Sequence, residues 1–76
     1  MMIVFINPDP DYQTPEQVLD LVIENLLYES DWTQIPNCPL TPAKVTEWAT
    51  WRQSLRLFPA TWTPSHQADL PDPPTP

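Results

Sequence analysis

The chain has 76 residues with twelve prolines, no glycine and a formal net charge of −7, ten carboxylates standing against three cations. This length confines it to one small domain, and the acidic balance disfavours a nucleic-acid partner, which needs a basic face. The longest apolar runs, Met1 to Ile6 and Leu21 to Ile23, fall far short of the roughly 20 residues that span a membrane. A lone cysteine, Cys38, forms no internal disulfide, and a lone histidine, His66, builds no metal site of the usual ligand count. Neither staple of a small core is on offer, which leaves a partner chain as the remaining source of stability.

Met1 to Ile6, MMIVFI, is apolar and rich in β-formers, and it ends in Asn7-Pro8-Asp9-Pro10, where the chain is forced into extended or turn geometry. The stretch predicts a short β-strand or an extended arm. No basic segment precedes it and no small-residue cleavage site follows, so the expectation is a cytosolic chain, or one built into a particle assembled in a cytosol. No second strand is evident elsewhere. Strand addition to a partner or to a copy of itself therefore stands beside simple packing of an arm on the helices.

Thr14-Pro15-Glu16-Gln17 opens a helix: Gln17 is placed to complete a capping box and Glu16 lies near the positive end of the helix dipole. At 100° per residue, Val18, Leu19, Val22, Ile23, Leu26 and Leu27 fall within one half of the wheel, with Gln17, Asp20 and Glu24 opposite. Leu21 and Tyr28 flank the polar strip. So wide an apolar arc predicts a contact beyond the chain, because one short neighbouring helix does not cover it.

Glu29 to Leu40 is a long connection for a helix hairpin, with Trp32 placed to plug its open end and the Pro36 to Pro39 segment turning the chain back. Thr41-Pro42 then opens a second helix, along which Val45, Trp48, Trp51, Leu55 and Phe58 share one side until Pro59 stops it. Arg52 falls inside that apolar stripe. Its stem should be covered while its guanidinium seeks a carboxylate, with Glu24 and Asp31 as candidates inside the chain and a partner's carboxylate as the alternative. Cys38 is most economically a small, partly buried residue.

After Pro59 the composition changes. Trp62 and Leu70 are the only large apolar residues of Ala60 to Pro76, and Pro64, Pro71, Pro73, Pro74 and Pro76 interrupt it. The segment is expected to be extended, either free or lying as a strap in a partner's groove with Trp62 and Leu70 as anchors. The predicted fold is mainly α: a two-helix hairpin with helices over about residues 15–30 and 42–58 and a short N-terminal β-strand or extended arm. Residues 1–59 form this domain and residues 60–76 a Pro-rich extended C-terminal tail.

Three segments then bring a family into view: Ser30-Asp31-Trp32-Thr33-Gln34, Pro39-Leu40-Thr41, and Trp48-Ala49 followed by Trp51-Arg52-Gln53, Leu55 and Arg56. In this order and spacing they resemble the C-terminal domain of tailed-bacteriophage tail-fibre assembly proteins, also called phage tail assembly chaperones. The resemblance covers roughly Leu26 to Pro59. Trp51 stands where that family more often has tyrosine, and Leu57 where an aspartate commonly follows. The ending DLPDPPTP replaces the usual Trp-Pro-rich one.

The resemblance implies a role in tail morphogenesis without catalysis, as a chaperone or adaptor for a tail-fibre or other tail protein. The alternative is a minor structural component that stays in the mature virion. It places the chain in the host cytoplasm during assembly, or in the virion tail. No cofactor is implied, and the sequence has no glycine for a phosphate loop, no metal-ligand cluster and no nucleophile set beyond the isolated Cys38 and His66. The residues expected to contact a partner are Leu19, Val22, Ile23, Leu26, Trp32, Trp48, Arg52, Leu55, Arg56 and Trp62. Among these, Trp32, Trp48, Arg52, Leu55 and Arg56 also match the family's motif.

Overall fold

In the computed structural model, which describes residues 2–9 and 11–75, the elements run β1 (Met2–Phe5), α1 (Pro15–Ser30), a 3-10 turn (Asp31–Gln34), α2 (Pro42–Thr61) and β2 (Gln67–Leu70). Met1, Pro10 and Pro76, which fall in the predicted strand, the turn after it and the tail, lie outside the described residues. The architecture is mainly helical, two helices with a small sheet beside them.

Each helix opens on its threonine. Thr14 Oγ1 accepts from the Gln17 N–H at 3.3 Å while Gln17 Oε1 accepts from the Thr14 N–H at 2.8 Å, the reciprocal capping box expected there. Thr41 Oγ1 accepts from the Lys44 N–H at 3.3 Å, and Pro15 and Pro42 occupy first turns where no hydrogen bond is lost. Upstream of α1, Asp9 organises the turn: its carboxylate accepts from the Asp11 N–H at 3.0 Å and its carbonyl from Tyr12 and Gln13 at 3.0 and 2.7 Å. Between the helices Asn37 takes φ 66°, a left-handed conformation that asparagine tolerates and for which this chain has no glycine.

The sheet corrects the expectation that no second strand exists. β1 pairs antiparallel with β2, Met2 opposite Leu70 and Phe5 opposite Gln67, and the ladder continues where the Ile6 N–H donates to the His66 carbonyl at 2.7 Å. The segment Gln-Ala-Asp-Leu carries no β-branched or aromatic residue, so propensity hides it. Its alternation is nonetheless that of a strand, with Ala68 and Leu70 buried and Gln67 and Asp69 exposed.

α2 also continues past Pro59, the predicted stop, to Thr61. A proline in the last turn removes a single helical bond near a frayed end, which is far cheaper than breaking a ladder at its centre. Thr61 Oγ1 donates to the Phe58 carbonyl at 3.2 Å and so occupies one of the terminal acceptors.

The second strand helps to build the core. Ile6, Leu19, Ile23, Trp48, Trp51, Leu55, Ala68 and Leu70 are buried together, with Val18, Val22, Leu26, Leu27, Phe58 and Trp62 partly buried against them. The arc of α1 that was expected to need outside cover is thus covered largely from within, by α2 and by the sheet. Beyond β2 the chain returns along α2 as a strap: Trp51 Nε1 donates to the Pro71 carbonyl at 2.8 Å and Lys44 Nζ to Thr75 Oγ1 at 3.3 Å. From Pro71 to Thr75 a polyproline rise covers about 12 Å, and from Trp51 back to Lys44 a helix covers about 10 Å, so strap and helix keep step.

Leu70 decides whether the tail belongs to the folded unit. Leu70→Ala empties a fully buried site and lowers the unfolding free energy by about 2–5 kcal/mol, read from a urea titration followed by tryptophan fluorescence. An unmoved midpoint would separate the tail from the core.

Candidate partner-binding surface

α1 ends on Ser30 with carbonyls that lack helical donors, at the negative end of the helix dipole. Arg52, from the middle of α2, answers them. Its Nη1 donates to the Leu27 carbonyl at 2.6 Å and to Ser30 Oγ at 2.7 Å, and its Nη2 donates to Asp31 Oδ1 at 2.8 Å. The Asp31 N–H donates to the Tyr28 carbonyl, and Thr33 Oγ1 donates to the Ser30 carbonyl at 2.7 Å. The hydroxyl proton of Ser30 turns back on the Leu26 and Leu27 carbonyls at 2.8 and 3.2 Å, which leaves the oxygen lone pairs for Arg52.

Arg52 is 8% exposed. A cation so enclosed requires partners on each side of its fork, and a planar guanidinium supplies three of these bonds from two nitrogens where an ammonium does not. Of the two carboxylates proposed for it from sequence, Asp31 is the one engaged. Gln34 then ties the 3-10 turn to α2, its Nε2 donating to the Val45 carbonyl at 3.1 Å, and the half-buried Cys38 thiol donates to the Thr33 carbonyl at 3.6 Å.

The same junction gathers the tryptophans. The rings of Trp32 and Trp48 centre 6.1 Å apart at 54°, and those of Trp48 and Trp51 centre 5.4 Å apart at 89°, an edge-to-face pair. Trp48 Nε1 is buried without a hydrogen-bond partner among the described residues, at a cost of about 1–3 kcal/mol that burial of the ring offsets. Leu26, Glu29, Trp32, Trp48 and Trp51, with Pro73 of the strap, line a cleft of about 210 Å³. Pockets for small organic ligands run to about 300–1,000 Å³, so this cleft suits a side chain or two of another protein better than a cofactor. A second, open groove is lined by Glu24, Leu27, Tyr28, Asp31, Arg52 and Arg56. Arg56 is exposed there and forms no ion pair among the described residues.

The residues marked from sequence for partner contact divide by depth. Leu19, Ile23, Trp48, Arg52 and Leu55 are buried, Val22, Leu26 and Trp62 are half-buried, and Trp32 and Arg56 are exposed. Leu26, Trp32 and Trp48 meet in the cleft, and Arg52 and Arg56 meet in the groove. Trp62 stands apart beside β2, its Nε1 donating to the Gln67 carbonyl at 3.3 Å. Of the α1 face expected to dock a partner, Leu19 and Ile23 are buried by the chain itself, while Val22 and Leu26 remain half-buried. Sequence reasoning missed Ser30 and Thr33, the buried polar residues that complete the Arg52 junction. Both stand in the Ser30-Asp31-Trp32-Thr33-Gln34 segment that carries the family resemblance, and Ser30 also continues the helical face of Leu19, Ile23 and Leu26.

A family model described as phage tail assembly chaperone protein matches residues 24–75, a span that holds the Arg52 junction, the tryptophan stack and the strap beside it. The chain belongs to the phage tail assembly chaperone family. The match reaches beyond the motif region between Leu26 and Pro59 and takes in β2 and the returning strap, while β1 and the first half of α1 precede it. No curated protein and no solved structure matches the chain. Among the described residues no helix is long and apolar enough to cross a membrane, and no three His, Cys, Asp or Glu side chains gather as they would around a metal ion.

Within this chaperone-family chain the two members of the ion pair are unequal. Arg52→Met removes three hydrogen bonds at the end of α1, leaves the Leu27 carbonyl only its long bond from the Ser30 hydroxyl, and destabilises by about 1–3 kcal/mol. The Asp31 side chain is 58% exposed, so Asp31→Asn costs less than about 1 kcal/mol. Equal losses for the two variants in denaturant titrations would mean that the carboxylate, and not the end of α1, is what Arg52 serves.

Proposed function

We propose that the chain acts as an assembly chaperone or adaptor that binds a phage tail-fibre or other tail protein and performs no catalysis. The observation that carries this reading is the cleft of Leu26, Trp32, Trp48 and Trp51, an aromatic surface of interface type within the residues matched by the chaperone family. Trp32, 39% exposed, is the side chain a partner meets first, with Leu26 and Trp48 beneath it and Arg56 reaching the same partner from the neighbouring groove. Trp62 and Val22 contribute partial surface. Leu19, Ile23, Arg52 and Leu55 hold these groups in place from below.

The mechanism follows from charge and apolar cover. An unassembled fibre subunit exposes strand edges and apolar patches that lead to off-pathway association. A small partner of net charge −7 covers such patches and adds repulsion between the resulting complexes, which keeps them apart until assembly proceeds. This takes place in the host cytoplasm. The absence of any need for a cofactor, nucleic acid or membrane is part of the same reading.

Trp32→Ala is expected to leave the fold intact and to weaken binding to the purified tail-fibre protein of the same phage at least tenfold in a calorimetric titration. Leu26→Asp acts in the same direction, whereas Leu19→Asp unfolds the chain because that site is sealed. Normal binding by both surface variants would discard the cleft. Detection of the chain at stoichiometric level in purified virions by mass spectrometry would replace the chaperone with a resident tail component.

A further inference from the structure

The two outer edges of the β1–β2 sheet are not alike. In an antiparallel ladder, alternate residues point their backbone groups at the partner strand and the others point away. The Ile6 N–H bond to His66 fixes which are which: Val4 and Met2 face β2, and the N–H and C=O of Ile3 and Phe5 face outward. On β2 the corresponding outward residues are Gln67 and Asp69. That edge is guarded, since the Gln67 carbonyl accepts from Ser65 Oγ at 2.7 Å and from Trp62 Nε1 at 3.3 Å, and Asp69 sets a carboxylate beside it. Charge and cover of this kind are how sheets suppress unwanted pairing.

The β1 edge carries no such guard. Met2–Phe5 holds no charge and no proline, and no further hydrogen bond reaches the outward groups of Ile3 and Phe5 among the described residues. Their side chains, 55% and 72% exposed, extend the same surface as an apolar pair. Water satisfies these groups in the free chain, and a protein partner that displaces that water must replace each bond, which an extended strand does along the whole edge and a helix or a small ligand does not.

Two occupants compete, a second copy and a different protein. A second copy would bring another −7 against the first, and a pairing of two four-residue strands falls well below the roughly 800 Å² per partner of a stable interface. A larger protein is free of both objections, because it can engage the tryptophan cleft as well. We infer that the outer edge of β1 is a strand-addition site for an extended, apolar, non-acidic segment of the tail protein, paired along Ile3 and Phe5. This rests on the function proposed above and adds where and how the partner's backbone is held.

The test uses the full chain and the purified tail-fibre protein of the same phage. Ile3→Pro removes one outward N–H and leaves the bonds between β1 and β2 in place. Phe5→Lys keeps every backbone donor and adds a guarding charge. Both are expected to bind at least tenfold more weakly with unchanged circular dichroism, and the Ile3 and Phe5 amides of the unaltered chain are expected to become protected from hydrogen exchange in the complex. Should Ile3→Pro prove unfolded, Phe5→Lys and the exchange readout decide alone. Binding within twofold of the unaltered chain, or no added protection at those amides, overturns the strand edge while the chaperone reading stands. Protection that appears in the isolated chain together with a dimer mass overturns it in favour of a second copy. Failure of the unaltered chain to bind the fibre protein removes the proposed function and this inference together.

Discussion

Arg52 belongs to α2, but its guanidinium closes α1, meeting the Leu27 carbonyl, the Ser30 hydroxyl and the Asp31 carboxylate within one fork at the negative end of that helix's dipole. Together these bonds fix the last turn of α1, the start of the 3-10 turn, the rotation of α2 about its axis and the distance between the helices. Because Trp48 and Trp51 lie within about a turn of Arg52 on the same side of α2, that rotation also delivers them to the core and to the cleft. The buried charge is best understood as setting register; its net contribution to stability is limited by the desolvation it requires.

A second constraint is scarcity. With one cysteine and no metal-ligand cluster among the described residues, the chain has few ways to enclose an apolar helix, and it uses the segments flanking the helix pair to do so. β2 brings Ala68 and Leu70 onto the core, the residue after β1 brings the Ile6 side chain, and the strap from Pro71 to Thr75 lies back on α2 through Trp51 and Lys44. With the interior closed in this way, what remains for recognition is the periphery: the Trp32 cleft, the Arg56 groove and the sheet edge. Under the proposed function the buried residues set the geometry and the exposed ones meet the partner.

Much of this was legible in the sequence where the determinants are local. The two Thr-Pro openings, the capping box at Gln17 and the apolar sides of both helices depend on residues a turn apart, and the structure has them where the pattern put them. Arg52 was legible as a covered cation with Asp31 as one candidate, because a charge set within an apolar stripe must find a counter-charge or a run of acceptors nearby. What escaped was non-local. β2 is four residues of weak propensity whose strand character comes from the partner it finds across the whole fold, and its alternation was masked by the prolines around it. Pro59 misled because the rule against proline in a helix weakens in the last turn. From the missed strand came the overestimate of how much of α1 lies bare, since Ala68 and Leu70 join Leu19 and Ile23 in the core.

The register of the sheet sets a timetable. Met2 is held by Leu70 and Ile6 by His66, so the first strand has no mate until nearly all of the intervening polypeptide has been made, a wait on the order of several seconds at the usual pace of translation. The helical pair, whose contacts are closer in sequence, has what it needs sooner. During that interval the nascent chain presents a bare apolar strand on one side and an uncapped core on the other, and whatever first engages Met2–Phe5 on the ribosome competes with the chain's own closing segment.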